Sequence, residues 1–435
     1  MGVVTRAKKR RLDEECSNRR LAPGGGEDLI SRLPVDLLIS IITVRPGKDT
    51  ARTQILSQRW RPLWRSAPLN LEARGQCWDV LRTHNGPVHR FSLSWEFDFG
   101  RRFPVVDSIL GSPRLNHLQE FELFYCNNCS QNPQVPRSVL RLSPTLCVLR
   151  ICSKVQSTSI SYGDCLRAQF PTPQLTLSNV NIRESALHGL LSQCPILESL
   201  VLAGNRGCRR MWISSSTLRS LGVSNDCICK EEKLEEVVIE DVPLLERLTP
   251  LSIWQGGFVI RASQAPKLKT LGYLSHEIST LELGTMVFQM MVPVSLSNVM
   301  RTVKILALYT SPNLDAVILF IKCFPCIEKL YIMLKAFNQG NLKNIQRNIS
   351  LECLDLHLKM VEFSNYQGNM SDLNFIRFFV LNARVLECIK LVAHRDKCEA
   401  KWIEKQNQKL QLYGRASRSV HLIFKLITGP VVWYT

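Results

Sequence analysis

From Leu118 to Leu391 the chain repeats one spacing: an apolar residue, two others, a second apolar residue, one other, a third apolar residue. Eleven copies follow it, at Leu118/Phe121/Leu123, Leu146/Leu149/Ile151, Leu197/Leu200/Leu202, Leu218/Leu221/Val223, Leu234/Val237/Ile239, Leu268/Leu271/Tyr273, Ile278/Leu281/Leu283, Val303/Leu306/Leu308, Ile327/Leu330/Ile332, Leu351/Leu354/Leu356 and Leu386/Ile389/Leu391. The last two positions of a copy lie two apart and so face one side of a short strand, while Glu198, Arg219, Lys269 and Glu328 take intervening places. Copies starting at 278, 303, 327 and 351 are 25, 24 and 24 residues apart, a period of solenoids, in which each unit buries its apolar side against the next. A proline stands two residues before an apolar start at Pro144, Pro195, Pro243, Pro266 and Pro325, where it ends one segment and introduces an extended one. Stacked parallel strands on a concave face are predicted, with longer insertions at 234–268 and 351–386.

Ahead of the repeats the period is helical. In Leu33-Pro34-Val35-Asp36-Leu37-Leu38-Ile39-Ser40-Ile41-Ile42, Pro34 suits a first turn and Asp36 the positive end of the helix dipole. Leu37, Leu38, Ile41 and Ile42 form an apolar face, and Pro46-Gly47 stops the helix. A second helix is predicted after Asp49, with Ile55, Leu56, Trp60, Leu63 and Trp64 on one side. A unit of about 40 residues cannot enclose so many large apolar groups alone, so part of this surface is expected to meet a neighbouring domain or a partner protein. Upstream, Lys8, Lys9, Arg10 and Arg11 form an unbroken basic block in a stretch without hydrophobic period, the kind a nuclear import receptor reads. Gly24, Gly25 and Gly26 make a flexible joint to the first folded unit.

Composition narrows the function. Hydrophobic residues are 45% and charged ones 21% of the chain, which excludes wholesale disorder, collagen and disulfide miniproteins. A net charge of +18 favours acidic partners. It is spread along the chain with no zinc-finger spacing or aromatic ribonucleoprotein motif, so it reads as solvated surface and nucleic acid is not an expected partner. The 16 cysteines follow no signal-like apolar segment, so reduced thiols are expected. The most apolar stretch, Met286 to Leu296, is broken by Gln289 and Pro293 and is no membrane span. Sequons at Asn128, Asn348 and Asn369 therefore read as chance matches. Cys126-x-x-Cys129 and Cys323-x-x-Cys326 each have half a zinc-site spacing, but their first cysteines are 197 residues apart, so no metal or other cofactor is expected. No phosphate loop follows a strand, and no local signature marks a nucleophile, so no catalytic residue is assigned.

The run Leu33-Pro34-Val35-Asp36-Leu37-Leu38, Pro46-Gly47-Lys48-Asp49, Arg52-Thr53, Leu56-Ser57-Gln58-Arg59-Trp60-Arg61 and Leu63-Trp64 resembles the F-box of plant F-box proteins. Val35 stands where that family usually has an acidic residue, and Arg45 where it has an apolar one. The repeats resemble the loose leucine-rich repeats of the same proteins, with Cys126 and Asn205 at the repeat's Asn/Cys ladder position. From Leu351, Leu-Glu-Cys-Leu-Asp-Leu, Leu373-Asn374-Phe375-Ile376, Phe379-Val380-Leu381, Leu386-Glu387-Cys388-Ile389-Lys390-Leu391 and Trp402 resemble the FBD segment that follows them.

The resemblance implies an α/β chain: a basic arm (1–26), a helical F-box (27–66), an irregular leucine-rich-repeat solenoid (67–350), an FBD-like cap (351–424) and a tail without family parallel (425–435). It also implies a non-catalytic substrate receptor, and the basic block Lys8 to Arg11 together with the lack of a signal-like segment sets the expectation of a location in nucleus and cytoplasm. The F-box docks on a Skp-type adaptor and through it on a cullin ubiquitin ligase, and the repeats hold an unidentified target protein. The adaptor contact is expected from Leu33, Pro34, Leu37, Leu38, Ile41, Ile42, Leu56, Trp60 and Trp64. Alternatives are an interaction scaffold independent of a ligase and a basic nucleic-acid-binding repeat protein.

Replacing Lys8, Lys9, Arg10 and Arg11 together by Ala is expected to lower the nuclear fraction of the tagged chain without moving its melting temperature. Unchanged localisation in quantitative imaging removes the import role of this block.

Overall fold

The computed structural model describes residues 33–44, 60–74, 84–95, 108–125, 138–139, 142, 145–153, 158–160, 172–225, 234–250, 257–275, 278–335, 351–394, 400–410 and 414–427. The basic block Lys8 to Arg11, Arg45, Leu56, and Cys126 with Cys129 lie outside them. Two compact units divide these residues, one up to Asn70 together with His84–Gly86, the other comprising the remainder.

In the first unit, helix α1 (Val35–Val44) and helix α2 (Trp60–Ser66) pack through Leu38, Ile42, Trp60 and Ala67. Leu38 and Ile42 are one helical turn apart and therefore share a face. Asn70 donates its side-chain amide to the Thr43 carbonyl. His84 is buried, with Nε2 2.9 Å from the Ala67 carbonyl oxygen and its ring edge-on to Trp64 at 5.1 Å.

The second unit is built on a sheet of fourteen strands that lie side by side in sequence order, the first of them starting with the last two residues of the first unit's main segment. They are β1 (Leu69–Arg74), β2 (Val88–Trp95), β3 (Glu120–Tyr125), β4 (Val148–Ser153), β5 (Gln174–Ser178), β6 (Ser199–Ala203), β7 (Ser220–Ser224), β8 (Arg247–Pro250), β9 (Thr270–Ser275), β10 (Ile305–Thr310), β11 (Lys329–Leu334), β12 (Met360–Ser364), β13 (Cys388–His394) and β14 (His421–Ile427). Every neighbouring pair from β2 to β14 is parallel. This is the predicted leucine-rich-repeat solenoid: β5/β6, β10/β11, β12/β13 and β13/β14 are joined through helices α3 (Glu184–Ser192), α4 (Leu314–Cys323), α6 (Met370–Asn382) and α7 (Ala400–Leu410). A one-turn helix, α5 (Glu352–Leu356), precedes β12. Among the described residues no helix is long and apolar enough to cross a membrane.

One register runs through the sheet. Phe91, Phe121, Leu149, Leu175, Leu200, Leu221, Leu248, Leu271, Leu306, Leu330, Val361, Ile389 and Leu422 are direct partners, neighbour to neighbour. All but the last are at most 2% exposed. The step along this row varies from 21 residues (Leu200 to Leu221) to 35 (Leu271 to Leu306), so the solenoid keeps its register while its convex-side segments differ.

Nine predicted copies have all three apolar positions buried, and the other two show what overrode the pattern. At 351–356 the chain is α5, and Leu356 is 63% exposed. Leu351, Leu354 and Leu358 also recur at helical spacing, and the strand copy is Leu358/Val361/Phe363, each fully buried. In β9 the register slips: Leu271 faces Leu306, but Leu274 faces Leu308. One extra residue thus moves Tyr273 off the core side and puts Leu274 there. Gly272 sits at the slip with φ +119, and a Cβ on it would collide with the Ala307 carbonyl, so only glycine fits.

The even spacing of the starts at 278, 303, 327 and 351 is also corrected. Ile278 opens a strand of a second sheet, and 351 opens a helix. That second sheet has strands Arg210–Ile213, Glu236–Ile239, Phe258–Ala262 and Ile278–Leu283 in parallel, followed by the antiparallel strands Met286–Gln289 and Val292–Pro293. Between residues 199 and 283 the chain alternates between the sheets, one strand to each per turn. Leu234/Val237/Ile239 and Ile278/Leu281/Leu283 therefore supply this sheet's inward face. Strands replace helices on that side because Val, Ile and Phe alternate with Glu, Arg and Thr at period two.

The FBD-like segment continues the same sheet through β12, β13 and β14. Lys425 to Ile427, assigned from the sequence to the tail, end β14 and pair with Val392 to His394. Phe363, Phe375, Phe378 and Phe379 form an edge-on aromatic cluster between β12 and α6. Asn369 caps α6, its side chain accepting from the Asp372 amide at 2.8 Å.

An Asp at Leu306 would leave a charge in a row with no water, costing roughly 3–5 kcal/mol or preventing folding. Lys304 is 41% exposed and pairs with Glu328 at 3.4 Å, so Lys304→Asp is expected to cost less than about 1 kcal/mol. Urea midpoints of the two variants check this, and equal losses would show the register to be misassigned.

Candidate functional site

The nine residues expected to meet an adaptor fall into three groups. Leu38 and Ile42 are 0% exposed and Trp60 2%, so these three hold α1 to α2 and present nothing outward. Leu33 and Trp64 pack half-buried against them. Pro34 is exposed, Leu37 is 50% and Ile41 37% exposed, and Val35 beside them is 43% exposed. Leu56 is outside the described residues. Pro34, Leu37 and Ile41 recur at steps of three and four, so they form a row on the outer face of α1. Helix α1 is thus apolar both toward α2 and away from it. The sequence pattern could not separate the two faces, because Leu37-Leu38 and Ile41-Ile42 are each adjacent pairs of equal hydropathy.

On the sheet, the residues alternating with the core row form an open face. At its N-terminal end it is charged: Arg90 lies 3.6 Å from Glu120 and 3.8 Å from Glu122, and Arg150 3.8 Å from Glu120. Toward the C-terminal end, Tyr331, Glu362 and Lys390 are direct partners across β11, β12 and β13, and the slip in β9 adds Tyr273. Tyr309 follows on β10, with the Lys335 ammonium 4.9 Å from its ring centroid. Burial raises the Tyr273 and Tyr331 hydroxyl pKa values, and the nearby Glu362 carboxylate raises them further. Glu362 is only 7% exposed, and burial lifts its carboxyl above the ordinary range while Lys390 and Lys425 oppose that rise. Sequence reasoning missed Tyr273 and Glu362. Tyr273 reaches this face only through a register slip, and Glu362 has the sequence context of any polar residue between two core positions.

The N-terminal edge of the strands carries a separate charge ladder. Arg219, Glu246, Lys269, Lys304, Glu328, Lys359 and Glu387 follow one another, each amide donating to its predecessor's carbonyl. Arg219 and Lys269 reach Glu246 at 2.9 and 3.2 Å, and their hydrogen bonds hold its carboxyl below the usual range. On the second sheet Arg261 bridges Glu236 and Glu282. Among the described residues these cations are interleaved with acids, so each charge is offset by a neighbour on the same edge. Cys152, Cys208 and Cys353 have thiols pushed up to about 12 by burial, Cys208 with help from Glu184 and Cys353 despite its bond to the Ile327 carbonyl. A thiol raised so far is a poor nucleophile at neutral pH.

The geometry agrees with what the chain is similar to. The family model of the leucine-rich repeats of FBD-associated F-box protein At5g56370 matches residues 106–332, just over half of the chain, and the FBD family model matches residues 348–391. FBD-associated F-box protein At5g60610 of Arabidopsis thaliana is 27% identical over 83% of this chain and 98% of that protein. Putative FBD-associated F-box protein At5g56820 of the same plant is 24% identical over 92% and 95%. F-box/FBD/LRR-repeat protein At4g00160, also of that plant, is 26% identical over 59% and 54%.

The raised carboxyl of Glu362 fixes a sign. Its folded pKa lies above the unfolded one, so its contribution to stability is complete below about pH 4 and is lost as pH rises through the folded value. Glu362→Gln is therefore expected to melt above the parent at neutral pH and to match it in acid. Differential scanning calorimetry at both pH values decides; a lower melting point for the variant at neutral pH would mean that attraction to Lys390 and Lys425 outweighs burial.

Proposed function

The chain belongs to the plant family of FBD-associated F-box proteins with leucine-rich repeats, and from that premise we propose that it is the substrate-recognition subunit of a Skp, cullin and F-box ubiquitin ligase. Helix α1 docks on the Skp-type adaptor, and the open face of the sheet holds the target protein. The chain itself is an adaptor and not an enzyme. It acts by proximity: a target held on the repeats keeps its lysines at high effective concentration near a ubiquitin-charged enzyme elsewhere in the complex.

The observation that carries this reading is the outer row of α1. Pro34, Leu37 and Ile41 are exposed although Leu38 and Ile42 already serve the intramolecular core. An apolar face that the packing of α1 on α2 leaves outward is what an adaptor groove takes up by the helix-in-groove mode. For the target, the C-terminal part of this face offers the half-buried Tyr273, Tyr331 and Lys390 and the exposed Lys425, beside the buried Tyr309 and Glu362. Tyrosines bring contact area and a polar tip at low entropic cost, which suits a protein partner.

The experiment is a titration of the full chain with purified Skp-type adaptor. Leu37→Asp combined with Ile41→Asp lies on the exposed face, so melting is expected to be unchanged while the dissociation constant rises at least tenfold, about 1.4 kcal/mol. Co-purification of cullin with the parent and its loss with this variant completes the expectation. Unaltered adaptor affinity, or cullin retained by the variant, overturns the docking role of α1.

A further inference from the structure

We propose that Cys326, Glu352 and His357 form a binding site for a zinc-class divalent cation. Cys326 closes the turn between α4 and β11, Glu352 opens α5, and His357 follows its last residue. One ligand atom from each (the thiol sulfur, a carboxylate oxygen and an imidazole nitrogen) lies within 4.8 Å of the other two. His357 Nε2 and Glu352 Oε1 are 4.0 Å apart. A tetrahedral zinc ion with bonds of about 2.0–2.3 Å holds its ligand atoms roughly 3.3–3.5 Å from one another. The trio must therefore contract by about an ångström, within the reach of side-chain rotation for Glu352 and His357, which are 40% and 31% exposed.

Arg301 shows that the pocket attracts positive charge. Its guanidinium makes a two-pronged contact with the Glu352 carboxylate, at 2.5 and 3.1 Å, and donates to Cys326 Sγ at 3.8 Å. This side chain is 58% exposed, so a divalent ion can displace it to water while the other two groups stay in place. Cys353 lies beside the trio but is buried, and its thiol donates to the Ile327 carbonyl at 3.4 Å. Thiolate with imidazole selects zinc or cobalt over magnesium and calcium, and three protein ligands leave a fourth position for water. Along the sequence, the two Cys-x-x-Cys pairs stand too far apart to complete one site together. The trio uses one cysteine of one pair, with partners 26 and 31 residues farther along, a spacing that no linear motif marks. Bound metal would strap the start of β11 to the segment leading into β12.

The test titrates the full chain, stripped with chelator and kept reduced, with Co²⁺ alone, followed by competition with Zn²⁺. A thiolate-to-cobalt charge-transfer band with tetrahedral d–d bands is expected, and Zn²⁺ should abolish both and raise the melting temperature. Cys326→Ser should remove the Cys326 contribution to the band. His357→Gln, at a half-buried position, should weaken Co²⁺ binding at least about tenfold while leaving the metal-free melting temperature unchanged, and Arg301→Gln should tighten it. No thiolate band in the parent overturns the proposal. So does a Co²⁺ titration of His357→Gln that superimposes on the parent, which keeps the decision open to measurement even if Cys326→Ser fails to fold.

Discussion

The structure depends on a single constraint, the parallel register that carries one side chain per turn into the row from Phe91 to Ile389. A parallel ladder leaves no freedom to slide, because a slip of one residue would turn every apolar group of that strand to the open face. The connecting segments are free by comparison. They can be a nine-residue helix between β5 and β6, a strand of the second sheet between β7 and β8, or a thirteen-residue helix between β12 and β13, since each needs only to cover the same apolar row. Where the ladder does slip, in β9, the chain makes room with a glycine and puts Tyr273 on the face that offers contact.

Turning the chain at both ends of every strand leaves carbonyls that must be paired, and side chains do this repeat by repeat. Thr145, Thr217 and Ser417 donate to the carbonyls of Leu118, Leu197 and Leu386, each the first apolar position of the preceding copy. At the exit of the strands Asn205 donates to the Leu177 carbonyl and accepts from the Val180 amide. Asn179 and Asn365 bond the Ser153 and Leu334 carbonyls from a left-handed backbone, a conformation that asparagine tolerates better than most residues. These ladders tie each turn to the one before it and so hold the open face in register.

This division explains what was legible. The strand positions follow from volume and hydropathy alone, which is why Leu306 and Leu330 could be placed from spacing. The ladder at position 205 was legible because asparagine stands three residues after the last apolar position, whereas Asn179 and Asn365 stand two after it and do the same work from a different backbone geometry. The second sheet was not legible as a separate layer, since Leu234/Val237/Ile239 has the same spacing as a core copy and only the alternation of the chain between layers assigns it. The same limit applies to α1. Adjacent apolar pairs give the helix and its hydropathy but not which member faces inward, and that is decided by where Trp60 and Ala67 stand in the folded unit.

The two faces of α1 then have different physical roles. Leu38 and Ile42 contribute to folding whether or not a partner is present, because their surface is removed from water by α2. Leu37 and Ile41 gain the same kind of free energy, roughly 25 cal/mol per Å² of apolar area removed, only when another protein covers them. A helix that is apolar on one side only would give up that second term, and one that lacked the inner pair would leave nothing to hold the outer row in register. The open face of the sheet differs in kind. Its tyrosines and partly neutralised charges are held by backbone pairing on both sides, so they present area without a large exposed apolar patch. On the proposed function, docking on the helical unit would be carried mainly by hydrophobic burial, and discrimination on the sheet by the placement of polar groups around aromatic rings.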